Sequence, residues 1–161
     1  MKLQEIYDLA VQTGKEVDRR DEKEIQRILD KAQDKFDDLE DEEQEYFDQA
    51  SLENPYSDTR ILTGDEEKEV KRVLMGIDID TAEILVADRL SEKGKTVDAV
   101  IAHHPEGKAL AALHELMHMQ EDILNDLGVP INVAEGIMAK RISRVKRGLM
   151  PINHNKARDA A

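Results

Sequence analysis

The sequence predicts an α/β fold, a parallel or mixed sheet with helices on both faces, preceded by an N-terminal helical extension. Three observations carry that prediction. The runs EVKRVLMGIDI (69–79), VDAVIA (97–102) and VPINVA (129–134) are short and nearly all apolar, as strands buried on both faces read. Each is followed by a longer stretch with helix signals, so the order strand–helix occurs three times in succession. Residues 1–54 differ in texture: they are heavily charged, with apolar residues at helical rather than alternating spacing.

In chain order, residues 3–13 (LQEIYDLAVQT) read as a short helix ended by Gly14. Residues 21–39 place Ile25, Ile28, Leu29, Ala32 and Phe36 on one helical face. An acidic helix or turn, DEEQEYFDQ, follows. The loop ENPYSDTRILTGD comes next, punctuated by Asn-Pro, Ser-Asp and Gly-Asp. This divides the chain into an acidic helical extension, 1–54, and an α/β domain, 55–161.

After the first strand, Asp80-Thr-Ala-Glu83 has the form of a capping box and opens the helix TAEILVADRLSEK, closed by Gly94. Residues 107–127 read as one helix stopped by Gly128, and 135–148 as a further one. Crossovers between parallel strands should be right-handed. Neither a GxGxxG nor a GxxxxGK[ST] pattern is present, so a dinucleotide or P-loop fingerprint is absent.

Composition narrows the function. The 161 residues suffice for one core, but two Phe, three Tyr and no Trp leave Leu, Ile, Val, Met and Ala to fill it. The lack of cysteine excludes disulfides, Cys-ligated zinc and thiol catalysis, and favours a cytoplasmic location. The N-terminus has no sustained apolar stretch of signal-peptide type, and no run approaches the roughly 20 apolar residues of a membrane span. Residues 1–70 hold 10 of the 23 Lys/Arg and 23 of the 36 Asp/Glu, so the whole net charge of −13 resides there. That balance argues against nucleic-acid binding.

The chemistry-bearing residues concentrate at the expected strand ends. Ligands of parallel α/β sheets bind outside the carboxyl ends of the strands. Here those ends carry Asp78-Ile79-Asp80, His103-His104-Pro105 and Ala134-Glu135. Imidazole and carboxylate together suit Zn, Mn or Fe(II), as one ion or two. The candidate metal ligands are His103, His104 and Glu135, with Asp80 assigned to the helix cap. A competing motif is His114-Glu115-Leu116-Met117-His118, the H-E-x-x-H pattern of zinc proteases. On a helical wheel His114, His118, Glu121 and Asn125 fall opposite the apolar face of Ala109, Leu113, Leu116, Met117, Ile123, Leu124 and Leu127, which reads as a solvated surface. The basic stretch Lys140, Arg141, Arg144, Lys146 and Arg147 reads as a helix polar face whose last turn complements the dipole, with a phosphate-binding patch beside the metals as the alternative.

DTRILTGD (58–65), VKRVLMGIDI (70–79) and above all VDAVIAHHP (97–105) resemble the start of the NGG-one-interacting-factor-three family, often labelled type 2 GTP cyclohydrolase 1 homologues. The resemblance spans roughly residues 56–135. It implies an α/β fold, a dinuclear metal centre held in part by His103 and His104, and a toroidal homo-oligomer. The family's next ligand is an aspartate after a following strand, where this chain offers Glu135. The family's H-x-x-x-E ligand pair near the C-terminus has no match, and the chain stops inside a helix begun near Asn155, which points to a truncated or single-lobe form.

Three functions follow as expectations. The first is metal-assisted hydrolysis of a nucleotide-like or phosphorylated small molecule. The second is a zinc protease using His114, His118 and Glu115. The third is a non-enzymatic regulatory or assembly module whose acidic helices dock partners.

Overall fold

The structure, a computed structural model, describes residues 1–161. Its N-terminal part is helical, as the spacing predicts. Helix α1 (Leu3–Val17) runs through Gly14 instead of ending there, and the Tyr56 ring packs against that glycine, 3.0 Å from where a Cβ would stand. Helix α2 (Glu22–Asp37) opens on an Asp21–Glu24 capping box. It closes near Phe36, which meets Phe47 with ring centroids 5.2 Å apart. A single turn, α3 (Asp41–Gln44), and a 3₁₀ turn (Gln49–Leu52) lead into the long loop.

A polar network anchors that loop. Asn54, 2% exposed, donates through Nδ2 to the Tyr7 hydroxyl and the Thr59 carbonyl, and its Oδ1 accepts from the Tyr56 amide. The Arg20 guanidinium grips Asp18 through two nitrogens, at 3.1 and 2.7 Å, with both side chains almost wholly buried. Tyr56 donates its hydroxyl to the same carboxylate at 3.0 Å. Burial alone would raise the Asp18 carboxyl. Hydrogen bonds from Arg20 and Tyr56 outweigh it and hold Asp18 below the ordinary range. Burial, then Asp18, pushes the Tyr56 phenol up to about 12.

The sheet has two strands, β1 (Val73–Gly76) and β2 (Ala99–Ala102), parallel and in register Val73↔Ala99 through Gly76↔Ala102. Between them lies α4 (Thr81–Glu92), capped by Asp80 and ended at Gly94, whose φ of +75° only glycine adopts freely. The α/β class and the parallel pairing are as the sequence predicts. The third strand is not. Residues 129–134 instead open helix α8 (Ile131–Leu149), in which Ala134 is fully buried. Pro130 explains the difference: it cannot donate to a ladder, its φ of −55° suits a helix entrance, and its carbonyl accepts from Val133 and Ala134.

The single helix expected over 107–127 is three pieces: α5 (Gly107–Ala111), α6 (Leu113–Leu116) and α7 (Met119–Asp126). Amides at the junctions reach back three residues rather than four, as Glu115 to Ala112 and His118 to Glu115 show. Helix α7 packs chiefly on α8, and the short terminal α9 (Lys156–Ala160) packs on α4.

The core is small. Of 161 residues 15 are buried, and the chain exposes 11041 Å². A compact monomer of 18.3 kDa is expected to expose about 8,100 Å². Met75, Ile77, Leu85 and Val86 are all more than half exposed, so β1 and α4 leave apolar surface uncovered. No helix is long and apolar enough to cross a membrane.

Two glycines make opposite predictions. A Cβ on Gly76 would stand 2.8 Å from Cδ1 of buried Ile79 and 3.2 Å from the Asp78 carbonyl, whereas Gly136 in α8 has open space. Gly76→Ala should cost about 1–3 kcal/mol by overpacking, and Gly136→Ala should add roughly 1 kcal/mol of helix propensity. Thermal melts should then move in opposite directions, by about 2–4 °C per kcal/mol. For Tyr56, a folded pKa above the unfolded one means its contribution is complete below about pH 10 and lost as pH rises through about 12. The stability gap between the protein and Tyr56→Phe should shrink across that window in denaturant titrations.

Candidate functional site

The parallel ladder continues past β2. The His103 amide donates to the Gly76 carbonyl at 2.9 Å, and the His104 amide to Ile77 at 2.8 Å. The segment Asp78-Ile79-Asp80 therefore leaves the sheet beside His103-His104-Pro105, at the carboxyl end where the sequence places the chemistry.

Side chains alternate along an extended chain, so the two imidazoles part company. His103, itself exposed, lines a cavity partly open to solvent. His104 Nδ1 lies 2.8 Å from Asp78 Oδ1, with both groups largely exposed. The ring centroids are 5.2 Å apart and inclined at 32°. With Nδ1–H donating to Asp78, the lone pair of His104 is on Nε2, the usual arrangement of a metal-binding imidazole oriented by a carboxylate.

Asp80 is the helix cap, as predicted. It accepts from the Thr81 amide at 2.6 Å, while its own amide donates to Glu83 Oε2 at 2.9 Å. It also pairs with Lys156 of α9, which the sequence did not foretell. The Lys156 hydrogen bond, followed by that from Thr81, holds the Asp80 carboxyl below its ordinary value, and Asp80 in turn raises Lys156.

Glu106 is the residue that sequence reading missed. It follows the His-His-Pro turn at the N-terminal end of α5 yet makes no capping bond. Its Oε2 is buried without any hydrogen-bond partner. Burial pushes its carboxyl up. Attraction to Lys156 offsets part of this, while the nearby charges of Asp80 and Asp78 add to it. The sequence signal is only a carboxylate three residues after His103, in HHPEG.

Glu135 lies elsewhere. The strand end that was to present it is instead the interior of α8, where Glu135 is exposed and lines a groove with His114, Glu115, His118, Glu121 and Lys146. The HELMH motif is likewise not on a continuous helix, since it spans the break between α6 and α7. The tightened turn brings His118 and Glu121 into line, Nδ1 to Oε2 2.9 Å, and buries Glu121, which the wheel had assigned to a solvated face. His114 Nδ1 donates to the Ala111 carbonyl at 3.2 Å. The basic residues predicted as a helix polar face are exposed along α8, with Lys146 and Arg147 in its last turn.

A metal fits the strand-end residues in kind: two imidazoles, one with its carboxylate support, and a buried carboxylate oxygen lacking a partner. It does not fit them in number, because no three His, Asp or Glu side chains come together closely enough to hold an ion.

No family model matches the chain, and no curated protein does. Among solved structures it is similar to a NIF3 superfamily protein from Sphaerobacter thermophilus, with 33% identity and a TM-score of 0.52. The match covers 57% of this chain and 32% of that one, so the chain spans about a third of that structure's length. The resemblance read from the sequence thus holds in both residues and fold.

The Asp80–Lys156 pair gives a pH test. Asn caps a helix about as well as Asp, so Asp80→Asn isolates the ion pair. A depressed folded pKa contributes stability above the unfolded value and loses it as pH falls through the folded one. Asp80→Asn should therefore be less stable than the unmodified protein near neutrality, and the difference should fade below about pH 4 in urea titrations.

Proposed function

We propose that the chain is a divalent-metal-binding protein whose strand-end histidines, His103 and His104, supply part of a metal centre. In the complete centre the proposed reaction is metal-assisted hydrolysis of a nucleotide-like or phosphorylated small molecule. The observation that carries the reading is the parallel register: it delivers both histidines to the carboxyl edge of the sheet, with Asp78 on His104 Nδ1. The likeness to a NIF3 superfamily protein supports the family resemblance carried by VDAVIAHHP, and it is that resemblance which implies a dinuclear centre at this histidine pair.

His103 and His104 would hold the ion through their free ring nitrogens, and Asp78 would fix the ring of His104. Glu106 is the nearest further carboxylate in sequence, and the exposed apolar residues of β1 and α4 favour association with further copies of the chain. A bound Zn, Mn or Fe(II) would acidify a coordinated water and polarise the bond it attacks. The chain's own part is to orient the imidazoles and keep the rim polar.

Isothermal titration with Zn²⁺ or Mn²⁺ tests this. Binding should fall to background in His103→Ala and His104→Ala, and should weaken about 10–100-fold in Asp78→Asn, which loses only the support of the ring. Stoichiometric metal retained in both histidine variants would overturn the reading.

A further inference from the structure

Behind His103 lies a cavity of about 460 Å³, partly open to solvent. Its walls come from α1, the loop 58–65, β2 and the turn at Ile79. They are mostly apolar, with Leu3, Ile6, Leu62, Ile79, Ile84 and Ile101 prominent. Known small-molecule pockets span roughly 300–1,000 Å³ and are walled in the same way, with a few polar groups at one end.

Helix α1 crosses this cavity as a strap. Its N-terminus is tied by Leu3 and Gln4 amides to the carbonyls of Lys68 and Glu66, and by the Val70 amide to Met1. Its C-terminal end is tied through Asp18 to Arg20 and Tyr56. Between these ties Leu3, Ile6, Tyr7 and Ala10 line the cavity.

The polar end of the cavity is selective in sign. Of its cations, Arg60 pairs with Asp48 and Arg158 bonds the Leu62 carbonyl and meets Asp159, while Lys68 lines the wall at the α1 N-terminus, where its carbonyl accepts from the Leu3 amide. Lys156 nearby is committed to Asp80. The group left over is Glu106, which lines the cavity and carries the one buried side-chain polar atom in the chain without a hydrogen bond. A buried acceptor left unsatisfied is costly, and a donor brought by a ligand removes that cost. From this juxtaposition we infer that the cavity binds a small molecule with an apolar body of ring size and a cationic or N–H-donating head that meets Glu106 beside His103.

The inference does not depend on the metal reading, because the test uses chelator-treated protein. Tryptamine and indole-3-acetate share one apolar body and carry opposite heads. Each is titrated while methyl resonances of the Ile and Leu residues are followed by NMR. Tryptamine should move the signals of Leu3, Ile6, Leu62 and Ile101 saturably, at least tenfold more tightly than indole-3-acetate. Glu106→Gln should remove most of that preference, and Ala99→Leu, on the same face of β2 as Ile101 and His103, should fill the cavity and weaken both ligands. Equal affinity for the two heads, no saturable shift, or shifts confined to residues outside the cavity would each overturn it. Zinc titration of the same samples reads the histidine pair separately, so a failure here and a failure there are distinguishable.

Discussion

Everything at the functional end of this molecule depends on one register, the parallel pairing that sets Gly76 opposite Ala102 and continues through the amides of His103 and His104. A slip by a single residue would exchange the faces of both histidines. His103 would leave the cavity, and His104 would leave Asp78. The same register fixes where Asp80 ends the extended segment, and so where α4 begins. Asp80 then holds Lys156, while Thr81 Oγ1 donates to the Lys156 carbonyl at 3.3 Å, bringing α9 back over the site. A two-stranded ladder of four residues per strand is a slender base for so much. The bend at Ile77–Asp78 supports it by setting Ile79, 3% exposed, directly against Gly76 at the end of β1.

The second constraint is the scarcity of large apolar side chains. No large side chain is fully buried, and where an aromatic core would otherwise stand the chain uses polar ties. Arg20, Asp18 and Tyr56 join the ends of α1 and α2 to the long loop. Asp48 receives both Arg60 and Lys108, at 2.7 Å each, and so connects that loop to α5. A buried pair such as Asp18–Arg20 gains little over an apolar core of equal volume, but losing one partner is expensive because it leaves a buried charge. Such ties fix geometry more than they add stability. They hold α1 at its ends while leaving its middle free to span a cavity.

What the sequence made legible follows from how local each signal is. The caps Asp21 and Asp80, the stop at Gly94 and the strands around Leu74 and Val100 were readable because each depends on residues within one turn or one pleat. The strand-end rule then placed His103, His104 and Asp78 without knowledge of the rest of the fold. The failures are tertiary. VPINVA is apolar enough for a strand, but a strand needs a neighbour, and Pro130 with a buried Ala134 made the helix the better burial. The breaks near Ala112 and Met117 have no glycine or proline to announce them. They arise where α5, α6 and α7 bend to pack on α8 and α9. Gly14 looked like a stop and is a contact for Tyr56, a residue 42 positions away. Nothing local to HHPEG singles out Glu106, whose lack of a partner is visible only in three dimensions.

The two histidine pairs now differ in a way that sequence spacing conceals. His114 and His118 satisfy the H-E-x-x-H pattern, but the pattern matters chemically only on an unbroken helix, where i and i+4 share a face. Here the turn is tightened between them, and His118 is spent on covering the buried carboxylate of Glu121. That is a structural use: it gives a hydrogen-bond partner to a carboxylate that packing against α8 has taken from solvent. At the strand ends the relation is reversed. Asp78 is exposed and needs no cover, so its bond to His104 gains little for stability, while it fixes the ring and leaves Nε2 free. An imidazole held by an exposed carboxylate, beside a second imidazole that opens onto a cavity, is the feature on which the proposed metal centre rests.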